Sequence, residues 1–185
     1  MEGSAGREIW VPTTTSFDAI WRALEDAVDD SLGTHVQVTD HALWVEVLRG
    51  DRKYDLRLAL GDAVSGTITL EQDALNAAVD AGSLDSTDEI PGGCNLYVEF
   101  CVVRNGEPGA GVALLRHIVE EFWPDVQISH TRLDETAPPG STYDDAVHEH
   151  FGFARQVGFD FADRVEEFIA AIARTLEQLA AVAER

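Results

Sequence analysis

Lysine is almost missing from this sequence: Lys53 is the only one, and the other 12 of its 13 basic residues are arginines. Against them stand 34 acidic residues, which leaves a formal charge of -21. A surface this negative repels phosphate backbones and anionic lipid headgroups, so neither nucleic acid nor a membrane surface is expected as a partner. Cysteine is also scarce. Cys94 and Cys101 are the only two, too few for a disulfide framework or a zinc site, and both read as small buried or half-buried thiols. No apolar run approaches the ~18 residues that a membrane span needs. Residues 1–7 are small and polar and lack the basic start and apolar run of a secretory signal, so a cytoplasmic protein is expected. Repeats, low-complexity stretches and an interior domain boundary are all missing, and residues 1–185 read as a single domain.

The acids are spread along the whole chain. That distribution favours adaptation of the entire surface to a salty cytoplasm over a single acidic site for a basic partner, although both readings fit the charge.

Hydrophobic spacing separates two kinds of structure. Thr15 and Asp18 form a box-like cap for a helix whose buried positions are Phe17, Ile20, Trp21, Leu24 and Val28, and Gly33 ends it. The period then becomes two. Val36 and Val38, then Leu43, Val45 and Val47, then Tyr54, Leu56, Leu58 and Leu60, then Val64, Ile68 and Leu70 alternate with polar residues. Short breaks at Thr39-Asp40-His41, Arg49-Gly50-Asp51-Arg52 and Gly61-Asp62 imply antiparallel hairpins. Glu8 to Pro12 reads as a further short edge strand. Gln72 to Ala81 reads as a short helix, Asn95 to Val103 as the strongest strand, Val112 to Phe122 as a helix stopped by Pro124, and Val126 to Arg132 as the last strand. Ser141 is placed to cap a short helix over Asp144 to His150. A helix from about Asp160 to Glu184 carries Phe161, Val165, Phe168, Ile172, Leu176, Leu179 and Ala183 along one seam. At 1.5 Å per residue it would run ~37 Å, long enough to reach past a small sheet onto a second copy. The expected class is α+β: a mainly antiparallel sheet of about five to six strands covered by helices, with a long amphipathic C-terminal helix.

Few residues suggest chemistry. Asn105 to Gly111 is a glycine-rich turn between a strand and a helix, and such a turn can cradle phosphate on free N–H groups. It lacks a Walker lysine and dinucleotide spacing, so it also reads as a plain strand-to-helix turn. His148 and His150 sit among Asp144, Asp145 and Glu149, but on a helix the two histidines would not share a face, and no metal site is expected. Paired neighbours such as Glu120-Glu121 point apart on a helix, and no Gly-x-Ser-x-Gly motif occurs. Trp44 lies on the polar face of its strand, placed to cover a ligand or a partner.

Two resemblances follow from these residues. Gly109-Ala110-Gly111 and then His148-Glu149-His150-Phe151-Gly152-Phe153 resemble, over residues 95 to 153, the glycine turn and Gly-Phe segment of the GNAT acetyltransferases. Gly106 stands where that family has Arg or Gln, His148 where it has Tyr, and a helix where it has a final strand. The likeness implies acetyl-CoA at Gly109 and Gly111, with His148 or Glu99 handling protons. The order of helix, antiparallel strands and amphipathic helix resembles the type III secretion chaperones, which pair and bind other proteins. The leading expectation is a non-catalytic protein-binding or adaptor module with no cofactor. Its partner would be another protein or a second copy, met through Trp44, Ile172, Leu176 and Leu179. The alternative is a diverged GNAT-like acyltransferase.

Overall fold

The computed structural model describes residues 15–33, 35–46, 50–104, 110–134 and 147–183. The elements run α1 (Ser16–Ser31), β1 (Gln37–Val45), β2 (Arg52–Leu60), β3 (Val64–Gln72), α2 (Ala74–Asp80), β4 (Cys94–Arg104), α3 (Ala110–Phe122), β5 (Ser129–Asp134), β6 (Val147–Val157), α4 (Phe159–Ala162) and α5 (Val165–Ala183). The class is α+β, with one six-stranded antiparallel sheet in the order β1-β2-β3-β4-β6-β5.

Local sequence explains most of these elements. The Thr15 hydroxyl donates to Asp18 Oδ2 at 2.8 Å, and the Thr15 backbone N–H donates to the same oxygen at 3.2 Å. The Asp18 N–H returns to Thr15 Oγ1, which completes the capping box and starts α1. Alternation in β2, β3 and β4 drives Tyr54, Leu56, Leu58, Val64, Ile68, Leu70, Leu96, Val98, Phe100 and Val102 into one buried layer. Helices α1, α3 and α5 lie over that layer. Phe122, Trp123, Phe153, Phe161 and Phe168 meet at one end in an aromatic cluster with centroid distances of 5.3 to 5.9 Å.

Four expectations are corrected. The segment Thr39-Asp40-His41 is not a turn. It is a bulge inside β1, where Val38 pairs with Leu58 and Asp40 with Arg57, so that Thr39 is the extra residue. Val147–Val157 is a strand, not the end of a helix. Its alternation of Glu149, Phe151 and Phe153 toward the core was hidden by an acid in an inward position. The C-terminal helix is interrupted: Arg164 N–H donates to Phe161 O at 2.9 Å, a tighter closure that ends α4 before α5 begins.

The fourth correction concerns the C-terminal seam. Ile172, Leu176 and Leu179 are 0–2% exposed and pack inside this chain, so they are not a partner surface. The reason is packing: α5 has 19 residues, ~28 Å, and it lies against α1, α3 and strands β2, β3 and β4, which cover the seam. The expected strand at 8–12, the turn residues 105–109 (Gly109 among them), and Asp144 and Asp145 lie outside the described residues.

Candidate functional site

The helices cover one face of the sheet, and the register assigns the other face residue by residue. Three rows run across it. The first holds Trp44, Lys53, Glu71, Asn95 and Gln156, the second Ala42, Asp55, Thr69, Tyr97 and Ala154, and the third Asp40, Arg57, Thr67, Glu99 and Gly152. A fourth row holds Ser65, Cys101, His150 and Thr131. Tyr97 and Glu99 are exposed there.

At one corner of this face the end of β1 stands out. Leu43, Trp44 and Val45 are 41%, 59% and 55% exposed, and β1 is an outermost strand with no neighbour beyond it among the described residues. Trp44 forms one wall of a groove of about 390 Å³, completed by Glu46, Asp51, Arg52, Lys53, Glu71, Gln72, Asp73 and Asn95. Both cations of this groove are engaged by acids: Lys53 Nζ lies 3.4 Å from Asp55 Oδ2 and 4.0 Å from Glu71 Oε1, and Arg52 Nη1 donates to Asp18 Oδ1 at 2.7 Å. Among the described lining residues four acids stand against two cations.

Beneath the groove a polar network ties five elements together. Arg52 Nη2 donates to Thr15 Oγ1 at 2.6 Å and to Gln72 Oε1 at 2.9 Å. Gln72 Nε2 donates to Asp80 Oδ2 at 2.6 Å and to Gly93 O at 3.1 Å, and Ser16 donates its hydroxyl and its N–H to Asp80. Gly93, at φ +80°, turns its own N–H to Asp80 Oδ1 at 2.8 Å. Ser16, Gln72 and Cys94 are almost fully buried. Burial pushes the Cys94 thiol up to about 12, against a hydrogen bond with Ser16, so this thiol is inert in the folded chain. Burial likewise pushes the Asp18 carboxyl up, but hydrogen bonds from Thr15 and the charge of Arg52 outweigh it and hold Asp18 below the ordinary carboxylate range. The network is a latch that fixes the floor of the groove.

The residues singled out for proton transfer are placed differently from one another. Glu99 and His148 share the open face, but Glu99 sits opposite Gly152 and His148 opposite Val103. Four residues along a strand separate those positions by ~13 Å, so they do not form a pair. Glu99 instead meets His150, with Oε1 3.1 Å from Nδ1. His150 Nε2 stands 3.6 Å from Cys101 Sγ across the β4–β6 pair. Burial, and then the charge of Glu99, raise the Cys101 thiol above its ordinary range. A groove of about 240 Å³ adjoins Glu99 and His150, lined also by Tyr97, Ser129, Thr131 and Gly152. This constellation was legible only once 147–157 is a strand, since only then do Glu99 and Cys101 on one strand face His150 on the next. On the opposite face His130 Nε2 lies 2.8 Å from Glu149 Oε1, and Glu149 is 1% exposed.

Gly111 is not at a cofactor surface. It is buried inside α3, and a Cβ there would stand 2.6 Å from Phe151 Cζ and 3.2 Å from Leu179 Cδ2, so its small size serves helix-to-sheet packing. β6 lies between β4 and β5, hydrogen-bonded to both, where an acetyltransferase would have a splayed parallel pair. Among the described residues no group of three or more His, Cys, Asp or Glu is arranged to hold a metal ion, and no helix is long and apolar enough to cross a membrane. Compared with protein-family models, curated proteins and solved structures, the chain matches none.

Proposed function

We propose that this chain is a non-catalytic protein-binding module of adaptor or chaperone-like kind, which takes an extended basic segment of another protein along the edge of β1 that has no neighbour among the described residues. The observation that carries this reading is the exposure of Leu43, Trp44 and Val45 on an outermost strand. Three consecutive large apolar residues are costly to leave in water. An unpaired strand edge offers N–H and C=O groups in register for another strand. The bulge at Thr39 breaks that register, so the usable edge begins at Asp40. Charge supports the chemistry of the partner: the groove beside Trp44 is acidic and the chain carries -21. The same charge opposes a second copy at low salt, because two such chains repel. The order of helix, antiparallel strands and C-terminal helix is in keeping with a chaperone-like role. We read the scattered acids as adaptation to a salty cytoplasm, with the Trp44 groove as the place where acidity also recognises a partner.

Peptide display on the intact protein tests this reading. Random peptides selected on the wild-type chain are expected to alternate apolar residues with Arg or Lys. They should lose at least about tenfold in affinity, ~1.4 kcal/mol, for a Trp44→Asp/Val45→Asp variant with an unchanged circular dichroism spectrum. Failure to enrich any peptide, or equal binding by the variant, would sink the proposal. A dimer in sedimentation that the variant dissociates would give the edge to a second copy instead.

A further inference from the structure

We propose that Cys101 is a reactive thiol for small disulfides, with His150 as its proton acceptor and Glu99 as the residue that positions His150. The geometry fixes the roles of the two ring nitrogens. Glu99 is a carboxylate and can only accept, so the Nδ1 that meets it at 3.1 Å is the one that carries the proton in neutral His150. That leaves the lone pair of Nε2 directed at the Cys101 sulfur, 3.6 Å away. A nucleophile, a base beside it and a third group that orients the base form the arrangement that nucleophilic catalysis requires. The three side chains come from directly paired and next-row positions of β4 and β6, so the sheet itself holds them in place.

The surroundings select the chemistry. The backbone N–H groups of β4 near Cys101 belong to the ladders with β3 and β6, so an oxyanion hole for a carbonyl substrate is not available among the described residues. Disulfide exchange needs no such donors. It needs a proton acceptor and a sulfur that a small disulfide can reach. Cys101 is partly exposed, and a groove of about 240 Å³ opens beside His150, with Ser129 and Thr131 in its walls. In the reaction the Cys101 S–H proton passes to His150 Nε2 as Sγ attacks one sulfur of the disulfide. The S–S bond breaks, and the leaving sulfur departs as a thiolate that recovers the proton. Cys101 is oxidised to a mixed disulfide, and the leaving sulfur is reduced to a thiol.

Burial and the charge of Glu99 keep the resting thiol neutral, so His150 is needed at the moment of attack. The other charged or titratable groups on this face are His148 in the row beyond His150, Tyr97 in the row beyond Glu99 with Asp55 further along it, Arg57 and Asp40 in the row of Glu99, and Lys53 and Glu71 in the most distant row.

The full-length chain is to be treated with 4,4′-dithiodipyridine across a pH series, with the adduct located by mass spectrometry. The wild type is expected to react at Cys101 and not at Cys94, whose thiol is buried and pushed up to about 12. At pH 7 it should react at least about tenfold faster than His150→Gln, with Glu99→Gln between them. The gap should narrow as pH rises through the raised pKa of the Cys101 thiol, where the sulfur ionises unaided. Cys101→Ser should abolish the fast phase. Equal rates and equal pH profiles for wild type and His150→Gln, or labelling only at Cys94, overturns the proposal. Cys94 silence reports that each variant is folded. Should His150→Gln fail that check, the exposed Glu99→Gln carries the comparison, and a wild-type profile for it refutes the positioning role.

Discussion

Replacing Gly152 by alanine is expected to cost far more than the same change at Gly66, although both glycines are buried in strands. A Cβ at Gly152 would stand 2.2 Å from Val98 O and 3.0 Å from Glu99 Cα, both backbone atoms of the paired strand. Ordinary contact begins near ~3.4 Å, so β4 and β6 would have to separate by about an ångström, stretching hydrogen bonds worth ~0.5–1.5 kcal/mol each. Overpacking adds ~1–3 kcal/mol, and the gain from removing a flexible glycine returns only ~0.5–1 kcal/mol. The net loss should be about 2 kcal/mol, a fall in Tm of ~4–8 °C for a chain of this size. At Gly66 the nearest atoms are ring carbons of Phe100 at 3.3 and 3.4 Å and Leu176 Cδ2 at 3.5 Å. Side chains can give by a few tenths of an ångström, so Gly66→Ala should stay within ~1 kcal/mol of wild type. Urea unfolding followed by circular dichroism measures both. If Gly152→Ala proves as stable as Gly66→Ala, the close approach of β4 and β6 is wrong.

Further tests address charge and packing. Asp18 is held below its ordinary range in the folded chain, so its contribution is complete above the unfolded value of ~3.9 and is lost as pH falls through the lower folded value. The deficit of Asp18→Asn in urea unfolding should therefore be ~1 kcal/mol at pH 6, the worth of a capping interaction, and shrink below about pH 4; a deficit independent of pH refutes the assignment. With a formal charge of -21, Tm should rise between 0.1 and 1 M NaCl, as the screening length drops from ~10 to ~3 Å. A flat or falling Tm removes the salt-adaptation reading. Leu176→Ala should cost ~2–5 kcal/mol as a core cavity, whereas a loss under ~1 kcal/mol would mean that α5 does not seat on the sheet.

The meander, the capping box and the C-terminal helix were legible because each writes its period into adjacent residues. Thr15 and Asp18 are three apart, and Tyr54, Leu56 and Leu58 two apart, so no distant contact is needed to read them. The bulge at Thr39 was not legible, since a turn and a bulge use the same polar residues and only the partner strand separates them. The nature of Val147–Val157 was missed because Glu149 occupies an inward position, where its contact with His130 is a long-range fact. Ile172, Leu176 and Leu179 were rightly seen as one apolar seam, but a seam does not say what covers it. The meeting of Cys101, His150 and Glu99 depends on register between strands about fifty residues apart, and spacing along the chain carries no trace of it.

The position of β6 between its two neighbours has a consequence for assembly. β5 is made first during synthesis yet, among the described residues, pairs only with β6. Until Val147–Val157 has been threaded onto β4, β5 has no strand to dock on, and Phe100 lacks the ring of Phe151 that stacks on it at 5.6 Å. Closure of the sheet therefore waits on long-range pairing, which is slow because loop entropy must be lost before contacts compensate it. A nascent chain halted before β6 would expose a naked β4 flank, the segment most prone to pair with a neighbour's strand.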